Sequence, residues 1–198
     1  MTNQQLPQAG DLPGEIRTQR LLLRRWREND QAAFAEMNAD PRVMEHFPGL
    51  LSVEDSQAMV ERIQSQFDEH GFGVWAVEIP GVVPFAGFVG LMIPRFDAHF
   101  TPCIEIGWRL IADVWGHGYA PEGAQAALDF AFEQLNVDEV ISMTAVGNLK
   151  SRRVMEKIGM SHTPDDDFDH PLVPAQHRLC RHVLYRLKLE DHIKPPSC

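Results

Sequence analysis

Apolar positions recur along this chain with two different periods, and the switches between them mark out the elements. Leu21 to Trp26 reads as a first strand, and about Asp30 to Ala39 reads as a helix, with Asp40-Pro41 opening a second, short one. Ser52-Val53-Glu54-Asp55 resembles a capping box with Asp in the place of the usual Glu or Gln. The helix it opens carries Met59, Ile63 and Phe67 on one stripe, read as core, and stops at Gly71. Val74 to Ile79 and Phe85 to Ile93 make a hairpin around Pro80-Gly81-Val82-Val83-Pro84. Ile104 to Leu110 alternates as a half-buried strand does, and Ala124, Ala127, Leu128, Ala131, Phe132 and Leu135 then return at helical spacing. Glu139 to Val146 is a further strand. A short helix follows Asn148, with Val154 and Ile158 as an apolar pair, and ends at Gly159. A loop from Thr163 to Gln176 leads to a last strand, about Cys180 to Leu189. Strands first, then helix-strand-helix-strand, predict an α/β (mixed α+β) architecture with a central twisted mixed sheet of six to seven strands and helices on both faces. No repeat, low-complexity segment or interdomain linker breaks the pattern. The expected organisation is an arm over residues 1–16, one domain over 17–189 and a tail over 190–198.

The densest chemistry lies where the Ile104 strand gives way to the helix, in Trp115-Gly116-His117-Gly118-Tyr119-Ala120-Pro121-Glu122-Gly123. Two glycines let backbone N–H groups approach a ligand without interference from a Cβ. Pro121 suits the first helical turn, where its missing N–H has no partner to lose. Such a helix N-terminus attracts anions through its free N–H groups and its dipole, so the loop is suited to phosphate. It is not a Walker A loop, because Gly118 is followed by Tyr119-Ala120 rather than Lys-Ser/Thr. Nor is it the dinucleotide fingerprint, because the last glycine position holds Pro121. A ligand-free strand-to-helix connection is the competing reading.

A second segment, Asn148-Leu149-Lys150-Ser151-Arg152-Arg153-Val154-Met155-Glu156-Lys157-Ile158-Gly159-Met160, narrows the choice. Together the two segments resemble the acyl-CoA-binding motifs of the GNAT N-acetyltransferase superfamily, and more narrowly its RimJ/RimL-like branch of ribosomal-protein N-terminal acetyltransferases. Thr18-Gln19-Arg20-Leu21-Leu22-Leu23-Arg24, Asp40-Pro41-Arg42-Val43-Met44, Glu105-Ile106-Gly107-Trp108 and His182-Val183-Leu184-Tyr185-Arg186 extend the resemblance over about residues 17 to 189. It implies a GNAT fold and acetyl-CoA as co-substrate. The motif's glycine-loop positions fall on Gly116, Gly118 and Ala120, and its opening Arg or Gln is replaced by Trp115. The pyrophosphate is expected on the N–H groups of Gly116, His117, Gly118, Tyr119 and Ala120. The strand edge of Ile106, Trp108 and Leu110 is expected to meet the pantetheine amides. Asn148 would hydrogen-bond the same arm or simply cap its helix. Lys150, Arg152 and Arg153 would meet the 3′-phosphate, unless they form only a solvated helix face.

Transfer to an amine needs a base for the ammonium and an acid for the departing thiolate. The resemblance implies direct attack on the thioester. Glu105 occupies the family's strand position for a general base, on the face opposite Ile104, Ile106 and Trp108. Many members place a Tyr acid where this chain has Met155, which leaves Ser151 as the candidate acid. The leading expectation is an acetyl-CoA-dependent N-acetyltransferase acting on a small-molecule or peptide primary amine. The alternative is a non-catalytic acyl-CoA sensor or interaction module on the same fold.

Composition constrains partners. Lys plus Arg total 18 against 28 acidic residues, a net charge of −10 that disfavours nucleic acid and favours approach of a cationic amine. Cys103, Cys180 and Cys198 are few and widely spaced, which with the absence of a signal-like or membrane-spanning run suggests a reduced, cytoplasmic setting without membrane contact. Neither cysteine near the motifs has an activating partner in sequence. Nine histidines form no metal-ligand spacing, so no metal is expected, and Asp165-Asp166-Asp167-Phe168-Asp169-His170 reads as a solvated acidic loop. Association as a homodimer stays open.

Overall fold

The computed structural model describes residues 12–192. Its sheet contains β1 (Ile16–Arg17), β2 (Leu22–Arg24), β3 (Val74–Ile79), β4 (Val83–Met92), β5 (Glu105–Leu110), β6 (Glu139–Ala145), β7 (Ser161–His162), β8 (Phe168–Asp169) and β9 (Arg181–Lys188). The spatial order is β1-β2-β3-β4-β5-β6-β9-β7, with β8 also pairing on β9. Six of these strands are three residues or longer; the two-residue β1, β7 and β8 are too short to leave a periodic signal in the sequence. All pairings are antiparallel except β5 with β6.

The helices are α1 (Asp30–Ala39), α2 (Pro41–Met44), α3 (Val53–His70), α4 (Tyr119–Gln134), α5 (Leu149–Lys157) and α6 (Leu189–His192). Their ends follow local chemistry. Asp40 caps α2 by accepting from the Arg42 N–H, with Pro41 in the first turn. Ser52 and Asp55 form a reciprocal capping box on α3. The interior of α3 turns Ser56, Val60, Ile63 and Phe67 inward, while Met59 is only half-buried and borders the cavity described below. The Met59 stripe is therefore part core and part site wall.

Alternation along the strands assigns the faces. Phe88 meets Phe34 of α1, with centroids 6.1 Å apart, whereas the neighbouring Val89 lies against Gly123 of α4. Thus α1 and α4 cover opposite faces. One apolar core runs through Leu23, Trp75, Ile106, Leu128 and Met155, all fully enclosed. A second, smaller cluster joins Phe100, Ile141, Phe168 and Leu184 on the other side of β6 and β9. At the first edge Arg24, buried with Asp30, pairs with that carboxylate at 2.8 Å and with Glu78 at 2.8 Å.

Near the N-terminus, Ile16–Arg17 pair with β2, and Leu12 and Ile16 pack against the core; residues 1–11 of the expected arm lie outside the described residues. Of the expected tail, residues 190–192 belong to α6, where His192 approaches Asp129 at 2.9 Å, and 193–198 lie outside the described residues. Among the described residues no helix is long and apolar enough to cross a membrane.

Candidate active site

The feature that organises the site is a fork between β5 and β6. The two parallel strands pair in register only at Glu105 and Ile141. The Ile141 N–H donates to the Ile104 carbonyl at 2.9 Å, and the buried Ser142 hydroxyl, rather than a backbone N–H, takes the next carbonyl, Ile106, at 2.9 Å. Beyond that point the strands diverge toward Leu110 and Ala145. Since the carbonyls of Ile104 and Ile106 face β6, period-two alternation turns the backbone of Trp108 and Leu110 the same way. The Leu110 carbonyl is taken by the Trp115 indole N–H at 2.9 Å. Trp108 is left with a peptide edge facing the gap, which suits an extended amide chain.

A cavity of ≈ 720 Å³ fills this fork and opens on both faces of the sheet. On the α4 and α5 side, a 3-10 turn over Ala112–Val114 leads into the glycine loop. Gly116 and Gly118 both adopt left-handed backbone, φ +82° and +81°. A Cβ at Gly116 would meet nothing within 4 Å, so the space over that peptide is free for a ligand. Gly118 is the N-cap of α4 and offers no side-chain cap, leaving the first N–H groups of that helix available. The loop is held from outside. Arg20 donates to the His117 carbonyl at 2.9 Å and to Glu122 at 2.6 Å, and lies 4.8 Å from the Tyr119 ring centre. Glu122 also accepts from Thr18 at 2.6 Å. Burial pushes the Glu122 carboxyl up, but the hydrogen bonds from Thr18 and Arg20 outweigh it and hold it below its ordinary value. The loop and helix start thus have the free space, backbone donors and fixed shape that a pyrophosphate requires.

The other expected site residues divide. Trp108, Leu110, Trp115, Gly116, Gly118, Ala120, Asn148, Lys150, Ser151, Arg153 and Glu105 border the cavity. Ile106 is 0% exposed, its side chain in the core, and can contribute only backbone. The His117 ring turns back to the Trp115 carbonyl at 3.0 Å and stacks on Tyr119, so neither side chain borders the cavity. Arg152 points away, donating to the Tyr185 hydroxyl and the Val146 carbonyl, both at 3.3 Å. Asn148 is an N-cap: its Oδ1 accepts from the Ser151 N–H at 3.2 Å and its Nδ2 donates to Thr144 at 2.9 Å. Lys150 sits 4.3 Å from the Trp115 ring centre. Ser151 borders the cavity, and its hydroxyl makes no hydrogen bond among the described residues. Met155 is 0% exposed and belongs to the core, so its position in this chain faces away from the chemistry.

Glu105 lies at the apex of the fork on the opposite face, in register with Ile141 of the second apolar cluster. Its side chain makes no hydrogen bond or ion pair among the described residues, and burial raises its pKa to about 8. A carboxyl poised near neutrality is suited to accepting a proton. Cys103 nearby is no nucleophile, since burial pushes its thiol up to about 12. The acidic loop is tied to its neighbours: Asp166 forms an ion pair with Arg186 at 2.8 Å, and Asp167 hydrogen-bonds His162 at 2.7 Å.

Several wall residues had no sequence signal. Phe47, Phe88, Met92, Phe96, His170 and His182 close the Glu105 side. The rings of His170 and His182 lie 4.8 Å apart, and burial lowers both pKa values. They are twelve positions apart, and the antiparallel pairing of β8 with β9 brings them together. Arg109 follows Glu105 by four residues on the same strand face, an alternation readable in sequence though nothing there marked it as site.

A mixed sheet forked at one parallel pair, with a glycine loop at a helix start on one side and a near-neutral carboxyl on the other, is suited to bringing a phosphate-bearing donor and a second substrate together across a sheet. Residues 20–161 match the acetyltransferase (GNAT) domain model, and the chain belongs to that family. It is similar to a Bacillus subtilis protein named as an N-acetyltransferase (YnaD), 32% identical over 146 residues covering 73% of this chain and 81% of that one. An Aspergillus fumigatus FsC-acetyl coenzyme A-N(2)-transacetylase is 38% identical over 96 residues, 46% of this chain and 40% of its own. A GNAT-family acetyltransferase structure from Bacillus anthracis superposes with TM-score 0.72 at 28% identity, covering 89% of this chain and 99% of that chain. The protein is an acetyltransferase of this family.

Proposed function

We propose that this acetyltransferase carries acetyl from acetyl-CoA to a primary amine by direct attack, with Glu105 as general base and Ser151 as general acid. The observation that carries the reading is the fork itself: a free peptide edge and a glycine loop on one face, and an unpaired, half-buried Glu105 at its apex on the other. Acetyl-CoA supplies the thioester. The loop from Gly116 to Ala120 and the start of α4 hold its pyrophosphate, the Trp108 edge aligns its amide arm, and Lys150 and Arg153 meet the 3′-phosphate. Glu105 takes the ammonium proton directly or through one water, freeing the nitrogen lone pair. The new C–N bond forms as the C–S bond breaks; the Ser151 hydroxyl delivers a proton to the departing sulfur and is reprotonated by the second proton that the nitrogen loses on becoming an amide. Substrate alignment supplies much of the acceleration, since two reactants meet in one cleft. The RimJ/RimL-like branch is our finer assignment by sequence, supported by the order of the motifs from Thr18 to Arg186, and it leaves the identity of the amine acceptor open. A cytoplasmic location without nucleic-acid or membrane partners remains part of the same reading. A possible homodimer is not needed for it, because one chain supplies every residue invoked.

The test is an amine-panel screen for thiol release from acetyl-CoA, with mass spectrometry of the products. Acetylated amine and free CoA in equal amounts are expected. Binding of acetyl-CoA with no turnover across the panel would instead make the fold an acyl-CoA sensor.

A further inference from the structure

The charge on the cavity wall does not match the charge of the molecule. The chain carries −10, yet the wall holds Arg42, Arg109, Lys150, Arg153 and Lys157 against Glu45 and Glu105. Lys150, Arg153 and Lys157 lie on α5, on the side assigned to CoA. Arg109 does not. It faces Phe88 and α1 from the Glu105 side of β5, and burial keeps 9% of it exposed. The one hydrogen bond of its guanidinium among the described residues runs from Nη1 to Asn38 Oδ1 at 2.6 Å. Phe47 and Phe88 lie over the guanidinium at 4.0 and 5.3 Å. No carboxylate lies within salt-bridge reach among the described residues, and the buried Nε has no partner. Burial alone lowers the group's pKa, to about 10, which still leaves it charged at neutral pH.

An unpaired buried guanidinium is costly, and structures keep such groups when a ligand supplies the missing anion. The cavity wall holds a second unpartnered polar atom, the buried Nδ1 of His46, adjacent in sequence to Phe47. With Nη1 occupied by Asn38, the edge left open on Arg109 is Nε with Nη2. That side-on pair of donors matches the two oxygens of a planar carboxylate. Glu105 and Arg109 share one strand face, about 13 Å apart between Cα atoms at 3.3 Å per residue, so one acceptor can span both.

Building on the acetyl-transfer reading above, we propose that the acceptor is an amine that also carries a carboxylate, with its nitrogen at Glu105 and its carboxylate on the free edge of Arg109. The substrate class is an amino acid or a short peptide with a free C-terminus. A simple cationic amine, or the N-terminus of a whole protein, would leave Arg109 unmatched.

The experiment uses the full chain with acetyl-CoA and matched acceptors: glycine, β-alanine, γ-aminobutyrate and glycylglycine, each against its own carboxamide, with rates referred to the free-amine fraction. At the best length the acid should exceed its amide by about ten- to a hundredfold in kcat/KM, mainly through KM, as expected for losing a hydrogen bond to a charged group. Arg109→Gln should erase that preference while leaving acetyl-CoA affinity by calorimetry unchanged, and Arg109→Lys should restore part of it. If amides and acids are acetylated alike at every length, acetyl transfer stands and the carboxylate assignment falls. An Arg109→Gln enzyme that keeps the full preference for acids overturns it as well. If nothing in either set is acetylated, both readings fail together. Should Arg109→Gln not fold, the wild-type comparison of acid with amide still decides.

Discussion

At the residue scale, the site rests on one carboxyl placed where water is scarce. Glu105 has no cation beside it, so burial is free to raise its pKa to about 8. As a base it gains activity as pH rises through about 8, and kcat/KM should climb over that range before levelling off. Glu105→Gln should lower kcat by about 10²- to 10⁴-fold at neutral pH with acetyl-CoA affinity nearly intact. The deficit should shrink at alkaline pH, where the amine loses its proton unaided; a pH-independent deficit would argue against the base role. Stability carries the opposite sign. A carboxyl raised on folding is protonated in the folded chain while ionised in the unfolded one, so its contribution falls as pH rises from its ordinary value to about 8. Paired urea melts should therefore find Glu105→Gln little different from wild type near pH 4 and more stable, by up to a few kcal/mol, above about pH 8. Ser151→Ala should lower kcat without weakening acetyl-CoA binding, and lose more with poor thiol leaving groups than with good ones. Equal losses for both thiols would remove Ser151 from proton delivery. Sequence alone singled out Glu105 and Ser151 from the motifs, but not Arg109, whose meaning depends on Asn38 and Phe47 more than sixty positions earlier in the chain.

The elements that could be read directly are those whose limits are set by neighbours in sequence. α1 spans Asp30 to Ala39 as read from the sequence, α3 has the Ser52–Asp55 box, and α5 has Asn148 as its cap. Asn148→Ala should cost about 1 kcal/mol of stability by chemical denaturation. The same change also removes the partner of Thr144 at the fork. The glycine loop belongs to this scale too, because its shape needs left-handed backbone at two points. Gly118→Val places a branched side chain at φ +81°, with its Cβ 3.4 Å from the Arg20 guanidinium. It should weaken acetyl-CoA binding in calorimetry more than it shifts the denaturation midpoint; normal affinity would move the phosphate site elsewhere. What the sequence could not supply at this scale were the two-residue strands and the contacts of the Thr163–Gln176 segment, which are fixed by β9 rather than by their own pattern.

At the scale of the whole molecule, the donor site joins segments far apart in the chain, since Thr18 and Arg20 brace a helix more than a hundred residues away. A ligand seated there should stabilise the entire fold. Acetyl-CoA at a hundred times its dissociation constant should add about 2.7 kcal/mol, and a thermal-shift titration that stays flat would contradict the assigned site. The sequence by itself determined α1 to α5, the longer strands, the mixed α/β class and the glycine loop at the start of α4, because periodicity, caps and glycine positions act over a few residues; α6 fell in the segment read as a tail. Tertiary structure alone decided where β5 and β6 part, since one buried hydroxyl from Ser142 occupies a carbonyl that a backbone N–H would otherwise hold. It also decided that Met155 and Ile106 turn into the core, that Arg152 faces Tyr185, and that an acidic chain surrounds its cavity with cations. Those outcomes depend on burial and on pairs far apart in sequence, where the energy of a side chain is set by what the fold brings against it.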